Sequence, residues 1–155
     1  MSESNPIRVF VSHLFREDAD YLRVFEFLES MDRFFYLNTS KPEDMPQTGG
    51  MDAIRDVYIA QIKAAEAAIV LPEHFSDNAD LVGYQLDVCA ANRRPVIVMR
   101  PFGGMQEIPA ALEKRAAEII EWNDREMADA LRRQARHEDT SKWDVIDFPG
   151  FDEKQ

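Results

Sequence analysis

Gln85 is the residue whose type and position first ask for a chemical explanation. At about 100° per residue, Leu81, Cys89, Val82 and Leu86 fall at about 0°, 80°, 100° and 140° on a helical wheel, and Gln85 falls at about 40°, inside that apolar arc. A carboxamide there must meet protein groups or a ligand, because it does not face water. A core glutamine bonded to neighbouring backbone and a ligand-facing glutamine both fit the wheel. Cys89, on the same face, reads as a small buried hydrophobe in a reducing compartment, since nucleophilic catalysis needs an exposed, electropositive thiol. His13, His74 and His137 form no HxxxH pair and there is no CxxC, so no metal is expected.

The elements that position these residues alternate between strand and helix. Ile7 to Val11 (IRVFV) is a short apolar, β-branched run of the kind buried on both faces of a sheet. A polar loop then precedes Tyr21, Leu22, Phe25, Leu28 and Met31, spaced as one helical face. Arg33 to Asn38 reads as a second strand, and TSKPEDMPQTGG, with two prolines and two glycines, as a long loop. Met51 to Ala65 is a helix with Ile54, Val57, Tyr58 and Ile62 on one face, and Ala67 to Leu71 a third strand ended by Pro72. The stretch EHFSDNA reads as a loop into the helix of Gln85, which Asn92 to Pro95 break.

Val96 to Met99 is a fourth strand, Pro109 to Ala117 a short helix, and Glu118 to Trp122 a fifth strand at an edge. Asn123 followed by Glu126 resembles a capping box for a last helix through Arg136. The expected organisation is one domain over residues 1–136 and an acidic tail, 137–155. Its Trp143, Val145, Ile146, Phe148 and Phe151 are expected to dock on this domain or on a neighbour.

Strands each followed by a helix specify an α/β fold with a parallel five-stranded sheet and helices on both faces. Such sheets bind ligands beyond the carboxyl ends of their strands, where strand order reverses. That rule selects Ser12 and His13, Asn38 to Ser40, the loop after Leu71, and Pro101 to Gly103. Receiver chemistry is excluded, because no acidic pair follows the first strand and no aspartate closes the third. Walker and dinucleotide glycine fingerprints are absent as well.

The chain has 155 residues, with 18 Lys and Arg against 29 Asp and Glu, for a net charge of −11. That charge repels phosphate backbones and anionic membranes, so neither nucleic acid nor membrane is an expected partner. MSESNP carries no signal-peptide pattern and no apolar run is long enough to span a bilayer, so a soluble, cytoplasmic protein is expected.

Several of these segments share a pattern with a known family. Arg8 to His13 (RVFVSH) with Asp20 and Tyr21, Phe35 to Ser40 (FYLNTS), Gln85 in its helix, Arg94 to Gly103 (RPVIVMRPFG) and Glu121 to Asn123 (EWN) together resemble the TIR-like domains of bacterial Thoeris anti-phage systems. The likeness runs in order through most of residues 7–135. It implies a flavodoxin-like fold, with NAD+ as substrate and cleavage of the nicotinamide–ribose bond. The ADP-ribose product, cyclised or conjugated, would signal to a separate effector protein after a phage-derived trigger.

The catalytic glutamate of that family corresponds to Gln85. Breaking an N-glycosidic bond develops oxocarbenium-like charge on the ribose. Losing the carboxylate removes about 4 kcal/mol at roughly 4 Å and an effective dielectric of ~20, about a thousandfold in rate. Asp87 lies about 200° around the helix and does not substitute. The chain is then either silent by nature or carries a Glu-to-Gln exchange that preserves the site. In this reading Ser12, His13, Asn38 and Ser40 hydrogen-bond phosphate or ribose, and Phe15 and Phe102 stack on nicotinamide or adenine. Capping by His13, turn formation by Asn38 and Ser40, and core packing by the aromatics are the structural alternatives. The other function consistent with the likeness is a non-catalytic module that senses a phage component or self-associates, making a homo-oligomer.

Overall fold

A computed structural model describes residues 1–104 and 106–139. The tail aromatics Trp143 to Phe151 lie outside the described residues. The elements in order are β1 (Ile7–Val11), α1 (Ala19–Glu29), β2 (Tyr36–Asn38), α2 (Gly50–Lys63), β3 (Ala67–Val70) and α3 (Pro72–Asp77). They continue with α4 (Ala79–Ala91), β4 (Val96–Met99), α5 (Ala110–Glu113), β5 (Glu118–Ile120) and α6 (Asp124–Arg136). The sheet is parallel throughout, in the order β2-β1-β3-β4-β5, consistent with a flavodoxin-like fold.

The two-residue period of the strands divides the core. Ile7, Val9, Val11, Ile69, Ile97 and Met99 face one side, against Tyr21, Val24 and Leu28 of α1 and Met127 and Leu131 of α6. Phe10, Ala68, Val70 and Val98 face the other, against Tyr58 and Ile62 of α2 and Val82, Leu86 and Cys89 of α4. Right-handed crossovers explain this distribution, because the chain reverses direction across the sheet after β2. The reversal places the switch point between β1 and β3, whose carboxyl ends carry the loops that begin at Ser12 and Leu71.

Several boundaries differ from the sequence reading: α5 ends at Glu113 and not Ala117, and β5 at Ile120 and not Trp122. EHFSDNA is no loop: Pro72 starts α3 at its first turn instead of ending order after β3. The same proline chemistry that stops a strand starts a helix. The second strand is three residues long, not six, because Arg33 adopts φ 58° and only the segment from Tyr36 runs along β1. Gly49, at φ 96°, caps α2, and a Cβ there would lie 2.7 Å from the Ala53 Cβ.

Leu131, fully buried between α6 and the sheet, tests this packing. Leu131→Ala is expected to lower unfolding free energy by about 3 kcal/mol in chemical denaturation. A loss below about 1 kcal/mol would mean that α6 does not close the core.

Candidate functional site

The carboxyl ends of β1, β2 and β3 meet in a polar cluster whose members are almost all buried: Ser12, His13, Thr39, Ser40, Gln61, His74 and Gln85. Gln85 enters it from α4, which Asn78 starts by accepting the Leu81 N–H at 3.1 Å. Val82, Leu86, Val88 and Cys89 share the buried face of that helix, so Gln85 points inward as the wheel requires.

The Gln85 carboxamide is used in both directions. Its Nε2 donates to the His13 carbonyl at 3.0 Å, and its Oε1 accepts the His13 N–H at 3.4 Å. The Tyr58 hydroxyl donates to the same carbonyl at 2.8 Å. The amide orientation follows from these partners, since the flipped form would set oxygen against oxygen. A glutamine fits a peptide group in this way and a carboxylate does not.

The imidazole of His13 is equally committed. Its Nδ1 accepts the Phe15 N–H at 3.1 Å, so the proton sits on Nε2, which donates to Gln61 Oε1 at 2.8 Å. Burial pushes the His13 pKa down from 6.5 to about 4, leaving the ring neutral at pH 7. Phe15, held at φ 62°, covers it edge-on with ring centroids 5.0 Å apart, and Tyr58 lies 5.1 Å away. Gln61 repeats the role of Gln85 one strand over: its Oε1 accepts the Lys41 N–H at 3.1 Å and its Nε2 donates to the Lys41 carbonyl at 3.2 Å.

Ser12 belongs to a second network. Its hydroxyl accepts the Leu71 N–H at 3.1 Å and lies 2.9 Å from His74 Nδ1, while His74 Nε2 lies 2.9 Å from Asp18 Oδ2. Asp18 also caps α1 by accepting the Tyr21 N–H at 2.8 Å. A carboxylate only accepts, so His74 Nε2 donates to Asp18; in the neutral ring Nδ1 then accepts the hydrogen bond of the Ser12 hydroxyl. The order serine, histidine, aspartate is that of a nucleophilic triad, but Ser12 has no exposed surface and its hydroxyl is spent. These side chains tie the two loops of the switch point together, helped by Arg16 and Asp77 at 3.0 Å.

Asn38 and Ser40 form a third group around the Tyr21 hydroxyl, which accepts from Asn38 Nδ2 at 3.0 Å and lies 2.8 Å from Ser40 Oγ. The Ser40 N–H donates to Asn38 Oδ1 at 2.9 Å, and the Ser40 hydroxyl also contacts that oxygen. Phe102 stands apart and is 48 % exposed, with the Arg23 guanidinium 3.8 Å from its ring centroid. The structure thus brings together Gln85, His13 and Phe15, ties Ser12 to His74, joins Asn38 to Ser40, and leaves Phe102 at the rim.

Gln61, His74, Asp18 and Tyr58 were not singled out as site residues from the sequence. For Gln61 the signal was present: taking Ile54 as 0°, it falls at about 340°, between Val57 at about 300° and Tyr58 at about 40°. Asp87 faces outward and pairs with Arg115 at 2.8 Å. The buried Cys89 thiol is pushed up to about 12, far from a reactive thiolate. Among the described residues, no group of three or more His, Cys, Asp or Glu could hold a metal ion. No helix among them is long and apolar enough to cross a membrane. In comparisons with known proteins, the chain matches no protein-family model and no curated sequence.

Two outcomes follow from this geometry. Because the folded pKa of His13 lies below its unfolded value, its contribution to stability is complete above pH 6.5 and is lost as pH falls toward about 4. Denaturation should show a loss of roughly 3 kcal/mol across that window, reduced in His13→Gln; an unchanged loss in the variant would contradict the assignment. In Gln85→Glu, one carboxylate oxygen keeps the His13 N–H and the other meets the His13 carbonyl. That variant should be less stable than the parent at pH 7 by about 3 kcal/mol. Burial raises the new carboxyl's pKa, so the gap should narrow toward pH 4, where it protonates and donates. Equal stability at pH 7 would refute the two-way bond.

Proposed function

We propose that the chain is a TIR-like domain that binds NAD+ at the carboxyl ends of its strands and, with an amide at position 85, does not cleave it at an appreciable rate. The observation that carries this reading is the place of Gln85: a polar residue turned inward from α4 onto the end of β1, beside the switch point. It is supported also by the parallel order of the sheet and by the resemblance of the chain to Thoeris TIR-like domains.

In that class of protein the substrate would be intracellular NAD+. The ADP-ribose released would be turned into a cyclic or conjugated signal read by a separate effector during phage infection. The amide at 85 has its oxygen on the His13 N–H and offers no charge to the oxocarbenium-like transition state. A glutamate at 85 brings the charge and gives up the donor that now meets the His13 carbonyl.

A second reading, a non-catalytic module acting by self-association or by sensing a phage component, is favoured by one observation: the reciprocal bonding of Gln85 and His13. That pairing gives glutamine a structural use of its own.

Calorimetric titration with NAD+ and assay of nicotinamide release, on the parent and on Gln85→Glu, separate the two. The proposal expects binding by the parent with no detectable release, and release at least a hundredfold above the parent in Gln85→Glu when phage lysate supplies the trigger. No binding by the parent, or no release by the variant under any trigger, would favour the non-catalytic module.

A further inference from the structure

Two buried side-chain atoms lack a hydrogen-bond partner among the described residues, Glu73 Oε1 and Arg94 Nε. The Arg94 guanidinium sits at the amino end of the sheet, where its other nitrogens donate to the carbonyls of Asn92 and Lys63 at 2.8 Å. Glu73 sits at the opposite, ligand-binding end, in the first turn of α3 directly after β3. Its Oε2 accepts the Phe102 N–H at 3.3 Å, beyond the usual range for such bonds.

Phe102 comes from the loop after β4. Its ring is half exposed, steadied by the Arg23 guanidinium and by Trp122, whose ring meets it edge-on at 5.6 Å. Arg23 is itself anchored by Asp20. Three strand ends and α1 therefore gather a carboxylate with an unspent oxygen beside a partly open aromatic ring. By contrast, Ser12 and His13 spend their polar atoms on the protein.

We propose that Glu73 and Phe102 form the subsite for a ribonucleoside, the carboxylate accepting hydrogen bonds from the ribose hydroxyls and the ring stacking on the base. This inference rests on the NAD+ reading above and deepens it. A buried acceptor without a donor is a standing cost that a ligand hydroxyl removes, and hydroxyl–carboxylate bonds are short and strong. Acidic side chains hold ribose hydroxyls in other parallel α/β folds by the same chemistry. The loose bond to Phe102 and the soft terminal torsion of glutamate let the carboxylate turn outward without moving the backbone.

Calorimetry of the full chain with NAD+, together with thermal melts, tests the assignment through Glu73→Gln and Phe102→Ala. Each variant is expected to raise the Kd for NAD+ about tenfold, the scale of one lost stacking or charged hydrogen-bond contact. The melting temperature of Glu73→Gln should hold or rise, because an uncompensated carboxylate has been removed. An unchanged Kd in both variants overturns the assignment while leaving the NAD+ reading intact. A melting temperature several degrees lower in Glu73→Gln, with Phe102→Ala unchanged in Kd, makes the pair structural and also overturns it. If the parent does not bind NAD+, the functional reading falls and this subsite with it.

Discussion

The hydrogen bonds between the Gln85 carboxamide and the peptide groups of His13 are the constraint on which the carboxyl end of the sheet depends. β1 ends at Val11, and from there the backbone must leave the ladder while still buried. The Ser12 N–H still meets the Ile69 carbonyl of β3 at 2.9 Å, and from His13 on the N–H and C=O groups need partners that no strand supplies. Gln85 and Tyr58 satisfy residue 13, Gln61 satisfies residue 41, and Ser12 satisfies the Leu71 N–H. Side chains take over where strand pairing stops, and they reach across from α2 and α4. The loops after β1, β2 and β3 are consequently one bonded unit.

Almost all of this network is neutral. Two carboxamides, a neutral imidazole and hydroxyls carry the bonds, and burial holds the His13 ring uncharged and raises the Tyr58 phenol above its ordinary value. A charged group in the same place would add a desolvation cost that these geometries do not offset. The carboxylates stand at the edge instead: Asp18 pairs with His74 and caps α1, and Glu73 meets the Phe102 loop. This separation between a neutral, buried floor and an acidic rim explains why the amide at 85 is at home in the fold.

Much of the sheet was legible in the sequence because buried parallel strands leave short apolar runs, as at Ile7 to Val11, Ala67 to Leu71 and Val96 to Met99. α3 was not, because Pro72 stops one element and starts another, and no local pattern says which. The inward direction of Gln85 could be read from helical period alone, and the same wheel places Gln61 inward too. Partnership was harder. Ser12, Asp18 and His74 meet only because β1 and β3 are neighbours, a contact between residues 56 or more apart, and periodicity within one helix carries no information about it. The unspent oxygen of Glu73 likewise depends on where the loop after β4 falls.

The most direct measurement of the central claim is hydrogen exchange at the Gln85 side-chain amide and the His13 backbone amide, followed by NMR on the uniformly labelled chain. The account predicts that both sites exchange slowly, since a fully buried carboxamide donates to one peptide group and accepts from its neighbour. Exchange of the Gln85 amide at the rate of a solvent-exposed glutamine would contradict it, because the side chain would then face the crevice and the loops would be held by something else.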